Sequence, residues 1–327
     1  MGLDQLKVQL GLRSYWNQGA EVSFLPMRNL TRHSYIGALK QLRDVDIVVS
    51  LMGQRRSGKS VIARQYMQAL WDEGLPRSNI LYINFFLKTL AGLRNEQVFQ
   101  EIVYWWLTTV VDQASPSYLI LDEVHELQFW DENVASLFED PLAQCKILIT
   151  GSNSKLLSEE LSSQLGGRYV TIPVFSFSYQ EYCDFHQIQY NSGNIEAYLR
   201  DGGMPEVLKT KDEEQRTQLL SDIITSTVRN DIVARYNPSN PQLLYSLIDF
   251  CRSSFSQQLS VRRIAEEVLR GMRVRIKDKG RTTSLVESYI KYLSDVYFLD
   301  LPKTYSYRTK DTLKRTVDKV YLRDLSI

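Results

Sequence analysis

One eight-residue string constrains this chain more than any other feature. Gly53-Gln-Arg-Arg-Ser-Gly-Lys-Ser60 fits G-x-x-x-x-G-K-[ST] at every fixed position. It directly follows the apolar run Ile47–Met52 and opens a helical pattern over 59–73. A strand that turns through such a loop into a helix makes a phosphate cradle. The glycines let backbone N–H groups curl round a β-phosphate, and the helix N-terminus adds its dipole. Gly53, Ser57, Gly58, Lys59, Ser60 and Val61 are therefore the expected nucleotide contacts. Lys59 is placed to reach the β- and γ-phosphates, and Ser60 to offer its hydroxyl oxygen to Mg²⁺.

The rest of the first half agrees with that start. Four further runs, Ile80–Phe86, Leu119–Leu121, Ile147–Thr150 and Tyr169–Val174, alternate with helical patterns at 95–112, 126–138 and 155–164. The first four of the five runs are continuously apolar, as strands buried on both faces of a parallel sheet must be. Strand–helix alternation predicts an α/β, doubly wound core over 46–175, preceded by a polar helical segment at 1–45. Residues 176–252 read as helices broken at Gly202-Gly203-Met204-Pro205 and are expected to form a helical lid. Residues 253–327 read as a helix capped by Ser260, a basic turn Arg273–Arg281, and a second helix from Thr283 to about Val296. Short runs at Tyr297–Leu299 and Thr304–Tyr307 follow as a β-wing, which is the layout of a winged helix.

A second chemical element lies about 60 residues after the phosphate loop. Tyr118-Leu-Ile-Leu-Asp-Glu123 is a buried-strand pattern ending in two carboxylates. Asp122 is expected to hold the Mg²⁺ shell and Glu123 to polarise an attacking water. His125 completes a D-E-x-H spelling, but helicases of that name need a second motor lobe with its own arginine motifs. His125 is instead expected to begin the helix after the strand. The fourth strand runs out into Gly151-Ser152-Asn153. Ser152 or Asn153 suits a γ-phosphate sensor, and Asn153 equally suits an N-cap for the next helix. Arg168 follows Gly166-Gly167, so it reads either as an arginine finger reaching a neighbouring subunit or as a surface arginine.

Composition excludes several other classes. The 39 Lys+Arg against 38 Asp+Glu rule out a chain basic throughout, yet residues 261–327 hold 16 basic and 9 acidic residues. Cys145, Cys183 and Cys251 are odd in number and widely spaced, which fits reduced thiols in a cytoplasmic protein rather than a disulfide framework. His33, His125 and His186 have no metal-site spacing. The longest uncharged apolar stretch, Ile102–Val111, is about half the length of a membrane span, and Met1-Gly2-Leu3-Asp4 has no basic head for a secretory leader.

Taken in order, GQRRSGKS, YLILDEVHEL, ILITGSNSKLLSEELSSQLGGR, VFSFSYQEY, YLRDGGMPEVL and TTSLVESYIKYLSDVYFL resemble the prokaryotic AAA+-type (archaeal-type) P-loop ATPases. These are allied to the origin-recognition and STAND ATPases. The resemblance covers roughly 28–327. It implies a P-loop core with strand order 5-1-4-3-2, a helical lid and a winged helix. It also implies Lys59 and Ser60 as nucleotide and metal contacts, Asp122 and Glu123 as the acidic pair, Ser152/Asn153 as the sensor, and a role for Arg168. Members of that family run on into a nuclease-like region that would start near the end of this chain.

The expected activity is Mg²⁺-dependent ATP hydrolysis coupled to a conformational change, with ATP and Mg²⁺ as cofactors. Two outputs stay open. In one, the basic C-terminal third binds DNA; in the other, the winged helix binds a protein partner and the ATPase is an assembly switch. A homo-oligomer is compatible with either.

Overall fold

The computed structural model describes residues 2–14, 30–152, 163–254, 261–271, 279–300 and 321–324. The chain divides into two compact units. The first is 1–53 with 58–174, and the second is 54–57 with 175–327.

The first unit is built on five strands, β1 (Val48–Met52), β2 (Ile80–Asn84), β3 (Tyr118–Asp122), β4 (Lys146–Gly151) and β5 (Tyr169–Pro173). They form one sheet in the order β2-β3-β4-β1-β5, with every pairing parallel. This is the expected order, read from the opposite edge. β1 and β3 are buried at every position, Ser50 and Asp122 included, as strands covered on both faces of a parallel sheet are. β5, at an edge, is half-exposed and ends in Pro173, which an edge tolerates because its missing N–H breaks no ladder bond. At the other edge Ser14 Oγ accepts from the Tyr82 N–H at 3.2 Å. Ser14 follows α1 (Leu3–Arg13), which buries Leu6 and Leu10. Helix α2 (His33–Leu42) contributes Ile36 and Leu39 to a core shared with α3 (Lys59–Asp72). In α3, Ile62, Ala63, Tyr66, Met67 and Leu70 recur at helical spacing and are all buried. α4 (Glu96–Trp105) is N-capped by the Asn95 side chain and runs on as a π turn, Trp106–Val110.

Two local expectations change. The helix after β3 starts at Trp130, not 126, so α5 is Trp130–Glu139. Glu123 and Phe129 both take left-handed backbone and enclose a 3-10 turn, Val124–Glu126, so His125 sits in that turn rather than opening the helix. The helix expected at 155–164 lies mostly outside the described residues, as does Asn153.

The second unit is helical. A helix at Tyr179–His186 begins with a reciprocal capping box between Ser178 and Glu181. The Gly202-Gly203 break has a steric cause. A side chain at Gly203 would place its Cβ 2.3 Å from the Phe177 carbonyl oxygen, and the Gly203 N–H donates to Asp324 at 3.0 Å. Helix Glu213–Thr227 continues into a π turn at Val228–Val233, and helices Pro241–Ser253, Val261–Gly271 and Lys279–Asp295 follow. Met204, Ile223, Ile232, Leu247, Val286 and Phe298 lie in their common core. The last helix begins at Lys279, four residues before the expected Thr283 cap, so Lys279 and Arg281 are helical rather than part of a turn. On that helix Val286, Tyr289, Ile290 and Leu293 are buried. Leu299–Asp300 pairs antiparallel with Tyr321–Leu322, whereas Thr304–Tyr307 and residues 272–278 lie outside the described residues.

Candidate functional site

The parallel sheet puts the carboxyl ends of β1, β3 and β4 at one edge, and each expected polar residue follows from that placement. β1 ends at Met52 and the loop begins at Gly53. Gly58 takes φ 100°, left-handed backbone that a side chain would strain, and serves as N-cap of α3. The first bond into this helix runs from the Ile62 N–H to the Gly58 carbonyl. The N–H groups of Lys59, Ser60 and Val61 therefore lie in the first turn, where helical N–H groups have no acceptor within the helix. Lys59 Nζ donates to the Gly53 carbonyl at 3.0 Å, which folds the side chain back along the loop. The Ser57 N–H bonds the Gln54 carbonyl at 3.2 Å and tightens the turn.

Asp122, fully buried at the tip of β3, is the hub. Its Oδ1 accepts from Ser60 Oγ at 2.9 Å and from Thr150 Oγ1 at 2.6 Å. Its Oδ2 accepts from the Tyr82 hydroxyl at 2.7 Å and from Asn84 Nδ2 at 3.0 Å. Burial, reinforced by the Asp122 carboxylate, pushes the Tyr82 phenol well above its ordinary pKa, so Tyr82 keeps its proton and remains a donor. The Ser60 hydroxyl and the Asp122 carboxylate thus converge as hard oxygen ligands. That fits Mg²⁺, which is held by one or two protein oxygens together with phosphates rather than by an all-protein cage.

Glu123 follows with φ 57°, and its N–H donates to Thr150 Oγ1 at 3.0 Å. The side chain is mostly buried, with Oε2 3.4 Å from His125 Nδ1. His125 also lies edge-on to Phe86, with ring centroids 6.3 Å apart. Thr150, Tyr82 and Asn84 are the residues that sequence reasoning missed. Their signal was present: Ile80–Asn84, Tyr118–Asp122 and the run ending at Thr150 are apolar strands that each close on a polar residue.

The other expected residues are more scattered. Ser152 is buried one residue beyond β4. Arg168 precedes β5, and its carbonyl accepts from the Val48 N–H. This places it at the amino end of the sheet, about 16 Å of strand away from the loop after β1. Its side chain pairs with Glu139 and lies over the Phe138 ring, 5.2 Å from the centroid. It therefore does not belong to the Lys59–Asp122 cluster of its own chain. Arg55 and Arg56, in the middle of the phosphate loop, pair with Asp231 and Glu206 respectively, all four within the second unit. Among the described residues no helix is long and apolar enough to cross a membrane.

Comparison with known proteins agrees with this geometry. Residues 46–183 match the model of an AAA domain, and residues 192–327 match a domain of unknown function (DUF8612). The structure is similar to the Walker-type ATPase PABY2304 of Pyrococcus abyssi, with a TM-score of 0.55 at 15% identity, covering 93% of this chain and 97% of that one. At that identity the likeness speaks for the fold alone. Uncharacterised protein MJ1544 of Methanocaldococcus jannaschii is 24% identical over 86% of this chain and 63% of its own length. An uncharacterised protein of Haemophilus influenzae is 30% identical over 87% of this chain and 69% of its own. The chain thus spans about two thirds of the length of these relatives. With that extent of likeness, the chain belongs to the family of this Haemophilus influenzae protein and carries an AAA domain of the P-loop ATPase type.

Proposed function

We propose that the chain binds ATP with Mg²⁺ and hydrolyses it, and that the second unit carries the resulting change to nucleic acid. The observation that carries the ATPase reading is the Asp122 cluster. It brings the last residue of one strand against the first turn of the phosphate-loop helix through Ser60, and against the next strand through Thr150. Ser60 and Asp122 would hold Mg²⁺, which supplies charge neutralisation at the phosphates. Lys59 swings from the Gly53 carbonyl to the β- and γ-phosphates. Glu123, with its backbone pinned by Thr150, orients and deprotonates the attacking water. Ser152, one residue beyond β4, or Asn153 serves as sensor. Arg168, distant from its own loop, acts on the nucleotide of a neighbouring copy.

The nucleic-acid output rests on the charge of residues 261–327, with 16 Lys+Arg and 9 Asp+Glu. The order helix, helix, two-stranded antiparallel ribbon in that region is compatible with a winged helix. Winged helices bind backbone phosphates through such basic surfaces.

The test is nucleotide binding and steady-state hydrolysis by two variants. Lys59→Ala should lose both binding and turnover. Glu123→Gln should bind ATP as wild type does and lose turnover by about 10²–10⁴-fold. Wild-type turnover in Lys59→Ala would remove this loop as the active one.

A further inference from the structure

The phosphate loop is held from a place that sequence motifs do not mark. Within Gly53–Ser60, the stretch Gln54–Ser57 packs with the second unit. There Arg55 meets Asp231 through two parallel bonds, one from Nε to Oδ2 and one from Nη2 to Oδ1 at 2.7 Å. Arg55 is about four-fifths buried, and the Asp231 side chain is 1% exposed. A carboxylate so deeply buried costs several kcal/mol unless it is fully bonded, so Arg55 is held at this spot by the second unit's own stability. A two-pronged guanidinium–carboxylate bond fixes the plane of the fork as well as its position. Asp231 lies in the π turn Val228–Val233, an irregularity frequent at functional sites. The neighbouring Arg56, in left-handed backbone at φ 64°, adds a second tie to Glu206 at 3.1 Å.

We propose that Asp231 is a positioning residue for nucleotide binding. By gripping Arg55 it fixes the middle of the phosphate loop, and so sets how the N–H groups from Arg56 to Val61 are presented to the phosphates. Asp231 touches no nucleotide in this scheme and acts through Arg55 alone. The proposal rests on the ATP-binding reading above and deepens it.

The experiment is calorimetric titration of ATP·Mg²⁺ into the full chain. It compares wild type, Asp231→Asn, Arg55→Ala, the double variant, and Lys59→Ala as the non-binding control. Asp231→Asn should weaken binding by about 5-fold or more, the lower end of coupling between linked sites. Because Asp231 works only through Arg55, the double variant should bind no more weakly than Arg55→Ala. A purely structural role for Asp231 would instead weaken binding by the same factor in both backgrounds, and that result overturns the proposal. So does wild-type affinity in Asp231→Asn. If Asp231→Asn does not fold, Arg55→Lys carries the test: it keeps the charge, loses the fork, and should weaken binding, whereas unchanged affinity refutes the idea. Failure of the wild type itself to bind ATP would sink the nucleotide reading, a result distinct from a wild type that binds and an Asp231→Asn that binds equally well.

Discussion

Replacing Thr150 by valine keeps the shape of β4 and removes one oxygen. That oxygen is fully buried and does two jobs: it donates to Asp122 at 2.6 Å and accepts the Glu123 N–H at 3.0 Å. The valine methyl leaves a buried N–H with no acceptor, at about 1–3 kcal/mol, and removes a hydrogen bond to a carboxylate, at about 1.5–3 kcal/mol. Partial relaxation of the Glu123 backbone reduces the sum, so we expect a net loss of about 2–4 kcal/mol. For a unit of this size that corresponds to a fall in unfolding midpoint of about 4–16 °C. Function should suffer as well. With its N–H released, Glu123 no longer has a fixed left-handed backbone from which to aim its carboxylate, so kcat should drop about 10–10²-fold while KM for ATP changes little. Differential scanning calorimetry and a coupled ATPase assay read the two effects, with Thr150→Ser as the variant that keeps the hydroxyl. A valine variant with a midpoint within 1 °C of wild type, or one that raises KM at unchanged kcat, would refute the role given to this oxygen.

The position of Arg168 at the amino end of the sheet predicts that Arg168→Ala mixed with Lys59→Ala regains part of the ATPase activity, since each copy supplies what the other lacks. Turnover independent of protein concentration, without rescue, would leave Arg168 as a partner of Glu139 only. Replacing Lys277, Lys279 and Arg281 together by Ala should weaken duplex-DNA binding and flatten its salt dependence by up to about three phosphate contacts while sparing basal ATPase activity. If wild type binds neither duplex nor single strand at low salt, a protein partner becomes the reading for the second unit. Burial pushes the Cys251 thiol up to about 12 from 9.0, so its folded pKa lies above its unfolded one. Its contribution to stability is therefore complete below pH 9 and is lost as pH rises from there toward 12. In the native protein at pH 8, Cys251 should resist alkylation that proceeds readily in urea; equal rates in both would contradict its burial.

Several parts of the sheet were open to reading in the sequence because they depend on local chemistry. Runs such as Val48–Met52 and Leu119–Leu121 are apolar almost throughout, with Ser50 the one polar residue, and strands covered on both faces need that. Gly58 before Lys59 marks a backbone turn at φ 100° that no other residue enters without strain. Asp122 stood out because a carboxylate at the end of an apolar strand has little structural reason to be there.

Other features have no local signature. Asn84, Asp122 and Thr150 are 38 and 28 residues apart in the chain and meet only because β2, β3 and β4 lie side by side in register, so their hydrogen bonds follow from strand order. The delayed start of α5 likewise follows from the backbone reversals at Glu123 and Phe129, which helical periodicity does not reveal. Arg168 reads from sequence either as an arginine finger for a neighbouring subunit or as a surface arginine. Its pairing with β1 at Val48 sends it to the opposite edge of the sheet. Arg55 and Asp231, 176 residues apart, illustrate the same rule most clearly. The sequence shows a basic residue in a glycine loop and an acidic residue in a helical stretch far down the chain. Packing alone buries that carboxylate and thereby settles which cation must stand beside it.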